Sequence, residues 1–234
     1  MHPASMGTIT SNRLGPAMRR TRAIALGACL VALAAGAARG QTVCNDATLS
    51  RVQSVYQGMS SFSGRFTQED QQADGKVLKA QGQVAYQKPG RMRWNYEPPN
   101  EQLVVTDGQT VWLYDPLLDN VTLQPLEKVT QGTPLAFLLG AGNLTRDFSC
   151  RALTRPAPRD GLAWLELVPQ KEIPTLAFIQ IGVGVNSAAL EAMRIVDTQG
   201  NLREVRLLGL RQGVSFAPDF FTFLVTDEME VISN

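Results

Sequence analysis

The side chains best suited to chemistry in this chain are few and poorly spaced for it. Its single histidine is His2, and its cysteines are Cys29, Cys44 and Cys150. Serine or cysteine nucleophiles need an imidazole within hydrogen-bond reach as general base. Once residues 1–40 are removed no imidazole is left, and zinc ligation loses its commonest nitrogen donor as well. Asp107, Asp115 and Asp119 could supply paired carboxylates for sugar hydrolysis. Each, however, stands beside Gly108, Pro116 or Asn120, a setting in which aspartate builds turns by accepting bonds from nearby amides. Gly182-Val183-Gly184 with Ser187 has two of the three glycines of a dinucleotide fingerprint, but strand-like rather than helical sequence surrounds them. The expectation is a protein with no catalytic residues, no metal and no cofactor.

Residues 1–40 read as a secretory signal peptide. Met18-Arg19-Arg20-Thr21-Arg22 is a basic opening, Ala23 to Ala35 is an apolar run, and Ala38-Arg39-Gly40 places small residues before a cut ahead of Gln41. The thirteen apolar residues fall well short of the ~20 needed to span a membrane. Residues 1–17 lengthen the leader beyond what export needs, so Met18 is an alternative start. Leu26-Gly27-Ala28-Cys29 resembles a lipidation box, but only six apolar residues precede Cys29 and the run continues past it. Cleavage leaves Cys44 and Cys150, which in an oxidising compartment read as one disulfide, with two buried thiols as the alternative.

Charge narrows the function further. The chain of 234 residues has a formal net charge of +1, yet five of its 22 bases and none of its 21 acids precede Gln41, which leaves residues 41–234 at −4. That balance is poor for nucleic-acid binding. At 44% hydrophobic and 18% charged residues the composition is that of a folded globular domain and not of a disordered chain. Residues 41–234 read as one such domain.

Positioning falls to strands. Leu49, Val52, Tyr56 and Met59 form an apolar stripe at helical spacing, with Asn45 or Asp46 as N-cap and Gly58 near the end. From Ser61 the pattern becomes an antiparallel meander: Phe62 to Gln71, Lys76 to Gln87, Arg91 to Glu97, Glu101 to Thr106, Gln109 to Tyr114 and Asn120 to Leu123. Further strands follow at Leu162 to Val168, Leu176 to Val185, Ala189 to Asp197 and Leu202 to Leu210. Ten or more strands in one sheet tend to curl. Asp107-Gly108 predicts a two-residue hairpin turn that pairs Thr106 with Gln109, Val105 with Thr110 and Leu103 with Trp112. Leu103, Val105, Trp112 and Tyr114 then share one face, while Met92, Trp94 and Tyr96 share one face of the preceding strand. Which face of the hairpin turns inward is left open. Thr133 to Gly140, with Pro134 at its first turn and Phe137 and Leu138 within it, predicts a short and unusually apolar helix.

Four blocks, in order, resemble the LolA-type outer-membrane lipoprotein carriers. They are Ser61-Phe62-Ser63-Gly64-Arg65-Phe66-Thr67-Gln68, the run from Gly82 through Lys88-Pro89-Gly90 to Trp94, the run from Thr106 to Pro116, and Thr133-Pro134 with its apolar helix. The resemblance implies an incomplete antiparallel β-barrel, mainly β with short helices, covered by a helical lid over a hydrophobic cavity. It implies that Met92, Trp94, Tyr96, Leu103, Val105, Trp112 and Tyr114 line that cavity, and that Phe137 and Leu138 belong to the lid. In such carriers an arginine before the proline ties the lid to the barrel; here that position is Lys88, which the resemblance makes the lid strap. The proline expected after Phe221-Thr222-Phe223 is absent.

The function implied is that of a monomeric carrier in the periplasm of a Gram-negative bacterium. It would take triacylated lipoprotein cargo from an inner-membrane ABC transporter and pass it to an outer-membrane acceptor, without a cofactor. At ~0.8 kcal/mol per buried CH₂, acyl chains do not cross water uncovered. A periplasmic lipoprotein sensor with the same half-barrel is one alternative. An acceptor lipidated at Cys29 is the other.

Overall fold

The computed structural model describes residues 44–130 and 142–233. The signal segment and the helix expected at 133–140, with Phe137 and Leu138, lie outside the described residues. Helix α1, Asp46–Gly58, begins at Asn45, whose side chain accepts the Thr48 N–H and so satisfies an amide the helix leaves unpaired. Its stripe of Leu49, Val52 and Tyr56 is buried, and Met59 continues it one residue beyond the helix.

Six strands follow: β1 Ser61–Gln71, β2 Val77–Gln87, β3 Arg91–Tyr96, β4 Gln102–Asp107, β5 Thr110–Asp115 and β6 Asn120–Pro125. A short helix α2, Leu126–Thr130, closes this half. After residue 141 come helix α3, Leu144–Asp147, then β7 Phe148–Arg151, β8 Ala163–Pro169, β9 Leu176–Val183, β10 Leu190–Asp197, β11 Leu202–Gln212 and, after a long irregular segment, β12 Glu230–Ser233. All twelve strands form one sheet in the order β12-β6-β5-β4-β3-β2-β1-β11-β10-β9-β8-β7. Pairing is antiparallel except at β12, which runs parallel to β6. β1 and β11 are the junction of the two halves, paired from Phe62–Gln212 to Gln71–Leu202.

The hairpin of β4 and β5 differs from the two-residue turn expected. Its innermost pair is Thr106–Val111, followed by Val105–Trp112, Val104–Leu113 and Leu103–Tyr114. Asp107 causes the change, because its Oδ1 accepts from the amides of both Gln109 and Thr110 and withdraws them from the ladder. Gly108 sits at φ +102°, and a Cβ there would lie 2.9 Å from the carbonyl oxygen of Pro89. The turns β2–β3 and β4–β5 therefore stack closely at one end of the sheet. Because the register moves by two residues, the four side chains expected to share a face still do.

Asp115 and Asp119 are turn formers too. Asp115 Oδ1 accepts from the amides of Leu117 and Leu118, and Asp119, at φ 48°, accepts from the Tyr114 hydroxyl. Gly182 lies in β9, and Gly184 follows in a turn where a Cβ would collide with the Ser187 side chain.

One core lies between α1, α3 and the inner face of β8–β10, where Leu49, Val52 and Tyr56 meet Leu165, Leu167, Ile179 and Ile181. The Leu144 amide donates to Gln53 Oε1 at 2.8 Å and links α3 to α1. Cys44 and Cys150 are joined as a disulfide, with Cα atoms 5.4 Å apart, so the start of α1 is tied to β7. On the outer face Arg151, Glu166, Gln180, Arg194 and Glu204 stand in register across β7 to β11. Glu166 is fully buried, and it accepts from Arg151 Nε (2.6 Å), Gln180 Nε2 (2.9 Å) and the Thr154 amide (2.9 Å). Burial pushes its carboxyl upward, but those donors outweigh burial and hold it below the ordinary carboxylate range.

Candidate functional site

The sheet's second core fills the inner face of β1, β2 and β3. Phe62 pairs with Tyr86, Tyr86 with Met92, Phe66 with Gly82, and Val84 with Trp94. Directly opposed residues in an antiparallel ladder point the same way, so these side chains rise together. The Phe66 ring lies 4.5 Å from that of Trp94 and 4.9 Å from that of Tyr96, centroid to centroid. Gly82 makes room for this: a Cβ there would collide with the Asn95 carbonyl oxygen and come within 2.8 Å of the Phe66 ring.

Between this cluster and the other half of the sheet lies an apolar cavity of about 20 Å³. Phe62, Tyr86, Met92 and Trp94 form one wall, and Leu190, Ala192, Met193, Val205 and Leu207 from β10 and β11 form the other. β3 and β10 are four strand intervals apart, roughly 19 Å along a flat sheet. Side chains from both line one small void only because the sheet curls strongly toward this face. A second apolar void of about 10 Å³, lined by residues including Leu144, Phe148 and Leu167, shares Leu190 and Met193 with the first. The two voids form one seam from the aromatic wall to the helices. At about 20 Å³ the larger has room for a single water-sized group, so the walls stand together in this structure.

Met92, Trp94 and Tyr96 share the concave face, and Met92 and Trp94 stand in the cavity wall. Leu103, Val105, Trp112 and Tyr114 do not. Trp94 opposes Val104 and Met92 opposes Thr106, so the inner side chains of β4 and β5 are Val104, Thr106, Val111 and Leu113, and the expected quartet points outward. The reason is the register between β3 and β4, which hydrophobic patterning leaves undetermined because both faces of the hairpin are apolar. The outward quartet has its own cover in the segment before β12. The Tyr114 ring lies 5.3 Å from that of Phe223 in a tilted pair, and Arg93, which opposes Val105, donates to the Phe220 carbonyl oxygen at 3.2 Å and lies 5.6 Å from its ring centroid. Val105 is 0% exposed.

Lys88 reaches the end of α1. Its Nζ donates to the carbonyl oxygens of Tyr56 at 3.0 Å and Gln57 at 2.7 Å, a cation placed where the end of α1 leaves carbonyls unpaired. It ties the β2–β3 turn to α1; the helix expected at 133–140, which the resemblance gave it as partner, lies outside the described residues.

Phe62 and Tyr86, and the whole wall from β10 and β11, stand in the cavity lining and are not among the residues expected there. The alternation Phe62-Gly64-Phe66 and Val84-Tyr86 was available to find the first group. No local signal places Leu190 or Val205 opposite Trp94, since that depends on the closure of β1 onto β11.

The class defined by fold and site is an open, strongly curved antiparallel β half-barrel with an apolar centre on its concave face and a disulfide-tied helix packed against it. A family model described as outer membrane lipoprotein carrier protein LolA matches residues 57–224, and the chain belongs to this family. An outer-membrane lipoprotein carrier protein of Cupriavidus taiwanensis is 34% identical over 199 residues, covering 83% of this chain and 92% of that protein. One from Cupriavidus pinatubonensis is 33% identical, covering 90% and 98%, and one from Xanthomonas oryzae is 32% identical, covering 76% and 84%. Among solved structures, a conserved protein from Thermus thermophilus is similar in fold, with a TM-score of 0.50 at 11% identity, covering 80% of this chain and 98% of that one.

Proposed function

We propose that this protein is a periplasmic carrier that shields the acyl chains of triacylated lipoproteins on their way from the inner to the outer membrane. It would receive them from an inner-membrane ABC transporter and deliver them to an outer-membrane acceptor. The observation that carries this reading is the apolar seam on the concave face of a chain belonging to the lipoprotein-carrier family. Acyl chains need a dry surface that can widen. Met92 stands in one wall and Met193 in the other, and their unbranched side chains repack at low cost. The carrier works by flattening the curl of the sheet about the paired β1 and β11, which draws the side chains of β2 and β3 away from those of β10 with the ladder intact, so that apolar side chains exchange contacts with each other for contacts with lipid. The two states differ little in apolar area exposed to water, which lets cargo move on to a tighter site without an energy source.

The test is to incubate residues 41–234, disulfide intact, with vesicles that carry a triacylated lipoprotein together with the ATP-supplied inner-membrane transporter, and to separate soluble from vesicle-bound cargo. A soluble equimolar complex is expected. In variants retaining one tryptophan, cargo should change the emission of Trp94, on the concave face, and leave that of Trp112 unaltered. Cargo that stays on the vesicles, or a response from Trp112 alone, would overturn the reading.

A further inference from the structure

The cavity has two hydrogen-bond donors with nothing to donate to. Among the described lining residues only Tyr86 and Trp94 carry a side-chain O–H or N–H group, and both the Tyr86 hydroxyl and Trp94 Nε1 are buried without a hydrogen-bond partner among the described residues. Tyr86 is 1% exposed. Buried donors are nearly always paired, so two unpaired ones beside the same void call for an explanation. Their neighbours underline it. Tyr96, on the same face of β3, donates its hydroxyl to Gln68 Oε1 at 3.0 Å. Ser63, the remaining buried and unpartnered polar side chain among the described residues, opposes Ala85 and so projects from the outer face.

Register brings the two donors together. Tyr86 opposes Met92 on β3, and Trp94 is the next residue of β3 on that face, so they are diagonal neighbours within reach of a common group. Burial pushes the Tyr86 hydroxyl up to about 12, which keeps its proton in place at any physiological pH. Phenylalanine at both positions would fill such a wall without leaving a donor unpaired.

We propose that Tyr86 and Trp94 form a polar subsite for the carbonyl oxygens of ester-linked acyl chains. This rests on the acyl-carrier reading of the cavity and adds to it which lipid linkage the cavity selects. An ester carbonyl oxygen has two lone pairs and brings no donor of its own, so it matches a pair of donors in an apolar wall. An ether of the same chain length offers a poorer acceptor at a different position. A free carboxylate would bring a charge into a cavity with no cation to meet it.

The experiment compares dipalmitoylglycerol with its ether analogue, dihexadecylglycerol, each displacing a fluorescent apolar dye from the folded, disulfide-intact protein. A preference for the ester of on the order of tenfold is expected, from one or two hydrogen bonds. Tyr86→Phe should cut that preference to about threefold or less, leave ether affinity unchanged, and not lower Tm, because it removes an unpaired hydroxyl. Trp94→Phe should act in the same direction. With the ester carbonyl carbon labelled with ¹³C, the infrared stretch of the bound lipid should lie below its position in an apolar solvent and move back up in Tyr86→Phe. Equal binding of ester and ether by the unaltered protein, or an unmoved carbonyl band in Tyr86→Phe, would overturn the subsite while leaving the acyl cavity standing. Binding of neither lipid by folded protein would overturn the acyl-cavity reading itself.

Discussion

Replacing Lys88 by methionine tests whether α1 controls access to the cavity. The substitution keeps the length and apolar character of the stem and deletes the ammonium that meets the Tyr56 and Gln57 carbonyl oxygens at 3.0 and 2.7 Å. A hydrogen bond from a charged donor contributes about 1.5–3 kcal/mol when shielded, and a cation at a helix C-terminus about 0.3–1 kcal/mol in water. Lys88 is only half-buried, so the loss should fall at about 1–2 kcal/mol. For a domain of this size that corresponds to a Tm roughly 3–6 °C lower. Tyr56 O also accepts from the Met59 amide, whereas Lys88 Nζ is the donor that reaches Gln57 O, so the damage concentrates in the last turn of α1. That turn leads into Met59, which packs with Phe62 and Tyr86 beside the cavity. Loosening it by ~1.4 kcal/mol should speed entry of an apolar dye up to about tenfold. Thermal unfolding followed by circular dichroism gives the first quantity and stopped-flow dye binding the second. Lys88→Arg, which keeps the charge, should stay near the parent protein in both. A Lys88→Met variant that matches the parent in Tm and entry rate would refute the assignment, and one that loses stability without faster entry would confine Lys88 to a structural role.

Reducing the Cys44–Cys150 disulfide opens a loop of 106 residues and should cost about 2–5 kcal/mol, measured as the shift in urea midpoint with and without reductant. Gly82→Ala should destabilise by about 3 kcal/mol or more, because the added methyl meets the Asn95 backbone and the Phe66 ring with nowhere to move; denaturant unfolding measures it. Glu166 holds its proton less tightly folded than unfolded. Its contribution is therefore complete above the ordinary glutamate pKa of ~4.3 and is lost as pH falls through the lower folded value. Glu166→Gln should lower stability at pH 7 and flatten the acid limb of the stability–pH curve, followed by urea unfolding at pH 3 to 7.

The readable parts of the sequence were those governed by near neighbours. The stripe from Leu49 to Met59 repeats at helical spacing and has a side-chain cap, so the helix and its buried face follow directly. Met92-Arg93-Trp94-Asn95-Tyr96 alternates cleanly, so its apolar face was plain. The hairpin was harder because Val104 and Leu113 are as apolar as Val105 and Trp112, and alternation between two greasy faces carries no direction. Asp107 added a second displacement by capturing two amides, which a Gly-based turn rule does not anticipate. That Lys88 meets the end of α1 depends on where α1 ends relative to the β2–β3 turn, which no local pattern signals. Strands β7 and β12, four residues each, are too short for a periodic signal. The far wall of the cavity required the pairing of β1 with β11, whose partners are more than 130 residues apart in the chain.

A half-barrel leaves two open sheet edges, and every unpaired edge is a template for another chain. Here both edges are formed by the shortest strands, β7 and β12, with four residues apiece. β12 lies parallel on β6 and occupies an edge that would otherwise expose six residues of backbone. On the carrier reading proposed above, a protein that opens to release an apolar load exposes itself to pairing with its own kind at that moment. With so few free amides and carbonyls at either edge, edge-to-edge polymerisation has little backbone on which to nucleate, and the barrel can stay unclosed without becoming a fibre.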